Sequence, residues 1–185
     1  MSRIEELYRK YERHISVPWQ VGLPGAQRII FVVYNPEDER RLRAKISLFE
    51  LATRQAGHDW VLVDITEDFP KWMQSNEYKD DYFAEPGLLT SALEADFTDE
   101  LVVKVQSVLT DKSDESTVVG ILGAATLFGL TRLSNVLARL EASIAGRLVV
   151  FFPGQYEGNH YRLLSGRVDW NYLAVPITLH GGDLS

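Results

Sequence analysis

Hydrophobic and polar positions follow two rhythms along this chain. Ile4, Leu7, Tyr8, Tyr11 and Ile15 recur at the spacing of one helical face. Ser2 with Glu5 three positions on forms a capping box, so a helix is predicted over 2–15. Residues 17–27 hold Pro18, Gly22, Pro24 and Gly25 and read as a linking loop. The rhythm then changes. RIIFVVY, Arg28 to Tyr34, is a nearly unbroken β-branched and aromatic run, the pattern of a strand buried on both faces. Asn35 suits an N-cap, Pro36 a first helical position, and Glu37, Asp38 and Glu39 a positive helix terminus. Leu42, Ile46 and Phe49 supply that helix's apolar stripe, and Gly57 its end. WVLVDI, Trp60 to Ile65, is a second strand, and the βαβ order predicts that it pairs in parallel with the first.

Beyond it lies a helical region rich in aromatics: Phe69, Trp72, Met73, Tyr78, Tyr82 and Phe83. Pro86 and Gly87 interrupt it. These side chains suit a core, with an exposed second face as the rarer alternative. Thr98 is predicted to cap a helix with Leu101, Val102, Val105 and Leu109 inward, and Thr110 to Ser116 to form a surface loop. TVVGILG, Thr117 to Gly123, is a third strand; Thr126 to Glu141 a helix; RLVVFFPG a fourth strand. NHYRLL follows as a loop, and WNYLAVPITL as a fifth strand with Pro176 marking an edge or a break. The pattern predicts one α/β domain over 1–185: a doubly wound, mostly parallel five-stranded sheet flanked by helices, Rossmann-like or P-loop-like without a phosphate loop.

Composition narrows the functions. The chain has 185 residues, enough for a sizeable core, and no cysteine, which removes disulfides and thiolate metal sites. No signal-like stretch follows Met1, and no apolar run approaches a membrane span, so the expected compartment is the cytoplasm. The net charge of −7 disfavours direct nucleic-acid binding and suits a protein partner or a small ligand.

Open α/β sheets bind ligands at their strands' carboxyl ends, so those ends carry the candidate chemistry. Asn35 reads as a cap. Asp64 ends an apolar run as a Walker B aspartate does, yet no GxxxxGK[ST] loop accompanies it. Gly120 and Gly123 follow a strand but keep a G-x-x-G spacing short of GxGxxG, which favours packing over phosphate binding. Tyr156, Glu157, Asn159, His160, Tyr161 and Arg162 cluster in seven positions, with Asp169, Trp170 and Asn171 nearby. None of His14, His58, His160 and His180 stands in HxH, HxxxH or HExxH, and there is no GxSxG elbow. No catalytic residue, metal ligand or cofactor is therefore expected. Tyrosine, tryptophan and arginine are what docking surfaces favour, so Tyr156, Asn159, His160, Tyr161, Arg162 and Trp170 are the expected partner-binding residues. A loop tied to its own sheet explains them equally well. Arg40, Arg41, Arg43 and Lys45 form a basic patch that reads as a solvated helix face balanced by Glu37 to Glu39.

Three blocks carry a family resemblance: FVVYNPEDERRLRAKISLFELATRQAGHDWVLVDIT, VVGILGAATLFGLTRLSNVL and RLVVFFPGQYEGNHYRLLSGRVDWNYLAVPIT. Together, over roughly Val17 to Thr178, they resemble the BrxB family, a small component of BREX bacteriophage-defence systems. The resemblance implies a bacterial or archaeal cytoplasmic protein without a family catalytic motif. It implies an assembly with a phosphatase-like protein (PglZ), a large ATPase (BrxC) and an adenine DNA methyltransferase (PglX), in which the small subunit links PglZ to the rest. The expectation is a non-enzymatic adaptor. Its rivals are a degenerate nucleotide-binding domain using Gly123 and Asp64, a DNA-binding module using Arg40 to Lys45, and, more remotely, a phosphoesterase relying on His160.

Overall fold

The structure, a computed structural model, describes residues 1–166 and 170–179. Helix α1 (Arg3–Ser16) leads through a 3-10 turn into strand β1 (Ile29–Tyr34). Helices α2 (Glu39–Ala44) and α3 (Ile46–Gln55) carry the chain to β2 (Asp59–Asp64). Then come α4 (Asp68–Ser75), α5 (Lys79–Ala84), α6 (Leu89–Ala92) and α7 (Thr98–Asp111), followed by β3 (Thr117–Leu122). Helix α8 (Leu133–Leu140) precedes β4 (Arg147–Glu157), β5 (His160–Leu163), β6 (Trp170–Asn171) and β7 (Val175–Ile177).

The fold is α/β. Five strands run parallel in the order β2-β3-β4-β1-β7, and β5 and β6 extend β4 as an antiparallel flap. β1 and β4 hold the centre because their runs are apolar on both faces, and β1 is buried throughout. Alternate residues of β1 then feed two separate cores. Ile30, Val32 and Tyr34 pack under α1 and α3 with Leu7, Tyr11, Phe49 and Phe151. Ile29, Phe31 and Val33 pack under α7 and α8 with Leu101, Val105, Leu137 and Phe152. Emptying a site such as Phe31 to alanine costs about 3–5 kcal/mol.

Several local expectations hold. The Ser2–Glu5 capping box is present on both of its hydrogen bonds. Gly57 closes α3 with a φ of 87°. Pro176 sits in an edge strand paired only with β1.

Others are corrected. β1 and β2 are parallel but not neighbours, since β3 and β4 lie between them. β2 lies at the sheet edge, and there it is only half buried, with the acids at both of its ends exposed. NHYRLL is not a loop but carries strand β5. The long fifth strand reduces to β6 and β7. Thr98 caps nothing; α7 continues a π turn (Leu93–Phe97), and the Thr98 hydroxyl donates to the Leu93 carbonyl at 2.7 Å. The helix predicted over Thr126 to Glu141 is a 3-10 turn, a bend at Gly129 and the shorter α8.

Candidate functional site

The carboxyl ends of β1 and β4 are where the connections part. β1 continues into α2 and α3 on one face, whereas β4 turns into β5, whose Tyr161 belongs to the core of the other face. A cleft of about 710 Å³ opens there, lined by Val33 and Tyr34 from β1, Asn35 just beyond it, residues 154–159 from the flap, and Thr178 and Leu179. This is the crevice in which open α/β sheets receive ligands.

The flap wall is a two-residue hairpin. Glu157 pairs with His160 across the turn, and Gly158 and Asn159 both take positive φ, 56° and 65°. That is the turn whose twist matches the flanking strands, and it favours these two residue types. The Asn159 carboxamide oxygen accepts from the Tyr156 hydroxyl at 3.1 Å. His160 Nδ1 lies 2.8 Å from the Gly158 carbonyl, and since a carbonyl only accepts, Nδ1 is the donor. At the hairpin base, a Cβ on residue 154 would stand 2.0 Å from the Arg162 carbonyl oxygen, so only glycine fits.

Strand alternation gives the hairpin two unlike faces. Tyr156 and Tyr161 are cross-strand partners on the inner face, ring centroids 4.6 Å apart. Tyr161 is 0% exposed, lies 4.5 Å edge-on to Phe31, and donates its hydroxyl to the Ala174 carbonyl at 2.7 Å. Burial, helped by Tyr156, pushes its phenol far above the usual range. Tyr161 is thus an anchor and not a contact residue, which corrects its place among the expected partner-binding side chains. On the outer face Gln155 opposes Arg162 and Glu157 opposes His160, and the four line a shallow depression of about 200 Å³. Asn159 and His160 are exposed; Tyr156 and Arg162 are half-buried. The side chain of Trp170 and all of Asp169 and His180 lie outside the described residues.

Around the cleft, charges are matched. Arg43 donates to Glu39 at 2.7 Å, Asp64 at 3.1 Å and the Thr66 hydroxyl at 2.7 Å, and the Tyr34 hydroxyl bonds Glu39. Partial burial works against the Asp64 charge, but the Thr66 hydroxyl and amide and the Arg43 guanidinium outweigh it and hold its pKa below the ordinary value. Asp38, 1% exposed, binds Arg3 at 3.0 Å and Arg41 at 2.8 Å, while Lys45 meets Glu5. Of the basic patch, only Arg40 has no ion pair among the described residues. Gly123, φ 96°, packs on Thr66: a Cβ would lie 2.5 Å from the Thr66 hydroxyl. The side of Gly123 on which a side chain would project is taken by Thr66.

The aromatic segment divides. Trp72 is buried and Phe69 meets Phe97 edge-on at 5.6 Å, whereas Tyr78 and Phe83 are 54% and 71% exposed. Among the described residues no three His, Asp or Glu side chains are placed to hold a metal ion, and no helix is long and apolar enough to cross a membrane. One cluster escaped the sequence reading: Trp19, Arg28, His58 and Arg147 at the opposite, amino edge of the sheet. Its only sequence signal is an arginine at the start of each central apolar run.

A family model described as BREX protein BrxB matches residues 46–176. Neither the search of curated proteins nor that of solved structures found a match.

Proposed function

Because this chain belongs to the BrxB family, and so is a component of BREX phage defence, we propose that it works there as a non-enzymatic adaptor. In this reading the outer face of the β4–β5 hairpin docks a larger BREX protein, a PglZ-type phosphatase-like partner first and a BrxC-type ATPase second. One observation carries it: the hairpin is rigid on one side and polar on the other. Tyr161 locks its inner face into the core, Gly154 and the Gly158–Asn159 turn fix its path, and Gln155, Glu157, His160 and Arg162 face outward. A preordered polar arm loses little entropy on binding, which is what docking needs. Catalysis gains no such support, since His160 is held by its own turn carbonyl and the depression it lines contains no serine, threonine or lysine for it to activate.

The nucleotide-binding rival meets Thr66 seated on Gly123 and Asp64 engaged by Arg43. The DNA-binding rival meets a basic patch of which three members already hold acids. The test is co-purification with the cognate PglZ-type protein, comparing wild type with the double variant Glu157→Ala, His160→Ala. We expect at least a tenfold loss of affinity with the fold intact, the size of an interface hot spot. A complex unchanged by the double variant sinks the hairpin as the docking face. Failure to bind either large partner sinks the adaptor reading itself.

A further inference from the structure

We propose that the amino edge of the sheet is a binding site for an oxyanion, a carboxylate or phosphate group held between Arg28 and Arg147. This site is independent of the hairpin and lies at the opposite end of the strands.

The two arginines line one cavity of about 450 Å³, together with Trp19, Gln20, Ser143 and, at its rim, Glu115. Arg147 is only 9% exposed. Charges taken out of water are normally met by opposite charges. Here no described carboxylate lies within ion-pair distance of either guanidinium, in a chain with 26 acids to 19 basic residues. Each guanidinium is oriented by main-chain carbonyls instead. Arg28 donates through Nε to Leu23 at 2.9 Å and through Nη1 to Ile144 at 2.7 Å. Arg147 donates through Nη1 to Gly146 at 3.0 Å and through Nη2 to Gln20 at 3.3 Å. These bonds leave Nη2 of Arg28 and Nε of Arg147 without an acceptor among the described residues.

Tying loops to the sheet accounts for the carbonyl bonds but not for the charge, because a neutral amide donates to carbonyls equally well. Burial, and after it the nearby charge of Arg28, both disfavour the Arg147 charge, and an anion seated between the two guanidiniums would offset both. A planar fork of donors fits a two-oxygen face, which both carboxylate and phosphate present. Trp19 completes the cavity. Arg147 sits 4.6 Å over its ring, and the His58 ring stacks on the same indole at 3.7 Å. The indole therefore reports on the site.

The test follows the Trp19 indole N–H by NMR while the whole chain is titrated with inorganic phosphate, with hexaglutamate, and with chloride at matched ionic strength. We expect a saturable shift with at least one oxyanion and none with chloride. Saturation by phosphate identifies a phosphate-bearing ligand; saturation by hexaglutamate alone identifies an acidic segment of a protein. Arg28→Gln should weaken binding about tenfold, one charge-assisted fork lost. Glu115→Gln, at an exposed position whose side chain makes no hydrogen bond or ion pair among the described residues, should tighten it about threefold by removing a like charge. It decides the matter even if Arg28→Gln unfolds. Shifts no different from chloride, or a Glu115→Gln variant that binds no more tightly, overturn the proposal.

Discussion

The two edges of this sheet handle charge in opposite ways. At the carboxyl edge nearly every cation is matched: Arg43 by Glu39 and Asp64, Arg3 and Arg41 by the buried Asp38, Lys45 by Glu5. At the amino edge Arg28 and Arg147 lean on carbonyls and an indole. A matched network is complete as it stands and serves to hold the β1 and β2 exits together. An unmatched pair is incomplete, and the incompleteness is what points to a ligand. So the edge where α/β sheets usually bind is, here, the electrostatically settled one. Its remaining opportunity is the shape and polarity of the hairpin.

The comparison can be broken most forcefully at the hairpin anchor. Tyr161→Ala should cost about 3–5 kcal/mol by emptying a fully buried aromatic site. A denaturation midpoint near wild type would mean that the inner face does not hold the hairpin. Next comes Asp38→Ala, which removes the carboxylate shared by Arg3 and Arg41 and should cost about 1.5–3 kcal/mol. The contrast itself is sharpened by a matched pair of substitutions. Arg43→Met should destabilise by about 1 kcal/mol, since its partners are half-exposed. Arg147→Met should cost less than that, or stabilise, because it deletes a desolvated charge with which no described carboxylate pairs. The reverse ranking in chemical denaturation would refute the account of the two edges.

Acid separates the edges more gently. Burial, with the charge of Arg147, holds His58 below its ordinary 6.5 despite a bond that favours its charged form. A depressed pKa means that the folded state resists protonation, so this group's contribution is whole above 6.5 and is lost as pH falls below it. In Arg147→Met the His58 pKa should rise, as an NMR titration of its ring protons would read. Glu5, held near 2 from an ordinary 4.5 chiefly by its bond to Lys45, contributes above 4.5 and is lost as pH falls from there towards 2. Lys45→Met should shrink the stability lost in that lower window and leave the His58 window alone.

Much of the architecture was legible along the chain. The unbroken runs of β1 and β4 announced strands covered on both faces, the Ser2–Glu5 box announced α1, and Pro176 announced an edge. Strand order was not, because pairing partners are chosen by how deeply each strand is buried, and β2 shows its half-exposed nature only once its neighbours are placed. The candidate site was half legible. The cluster from Tyr156 to Arg162 stood out by composition, but composition treats the six side chains alike.

The residues alone determined the α/β class, the family and the absence of thiol chemistry, since hydrophobic period, motif wording and composition are properties of the chain itself. Only the tertiary structure decided where each polar or aromatic side chain lies. Strand alternation turned Tyr161 inward and His160 outward, one position apart in sequence. Folding brought Arg28 and Arg147 to one cavity from 119 positions apart without bringing any described carboxylate within ion-pair distance of either. The physical reason is the same in both cases. Burial and charge compensation are set by what lies across the sheet, and a linear chain carries no record of that until its strands are paired.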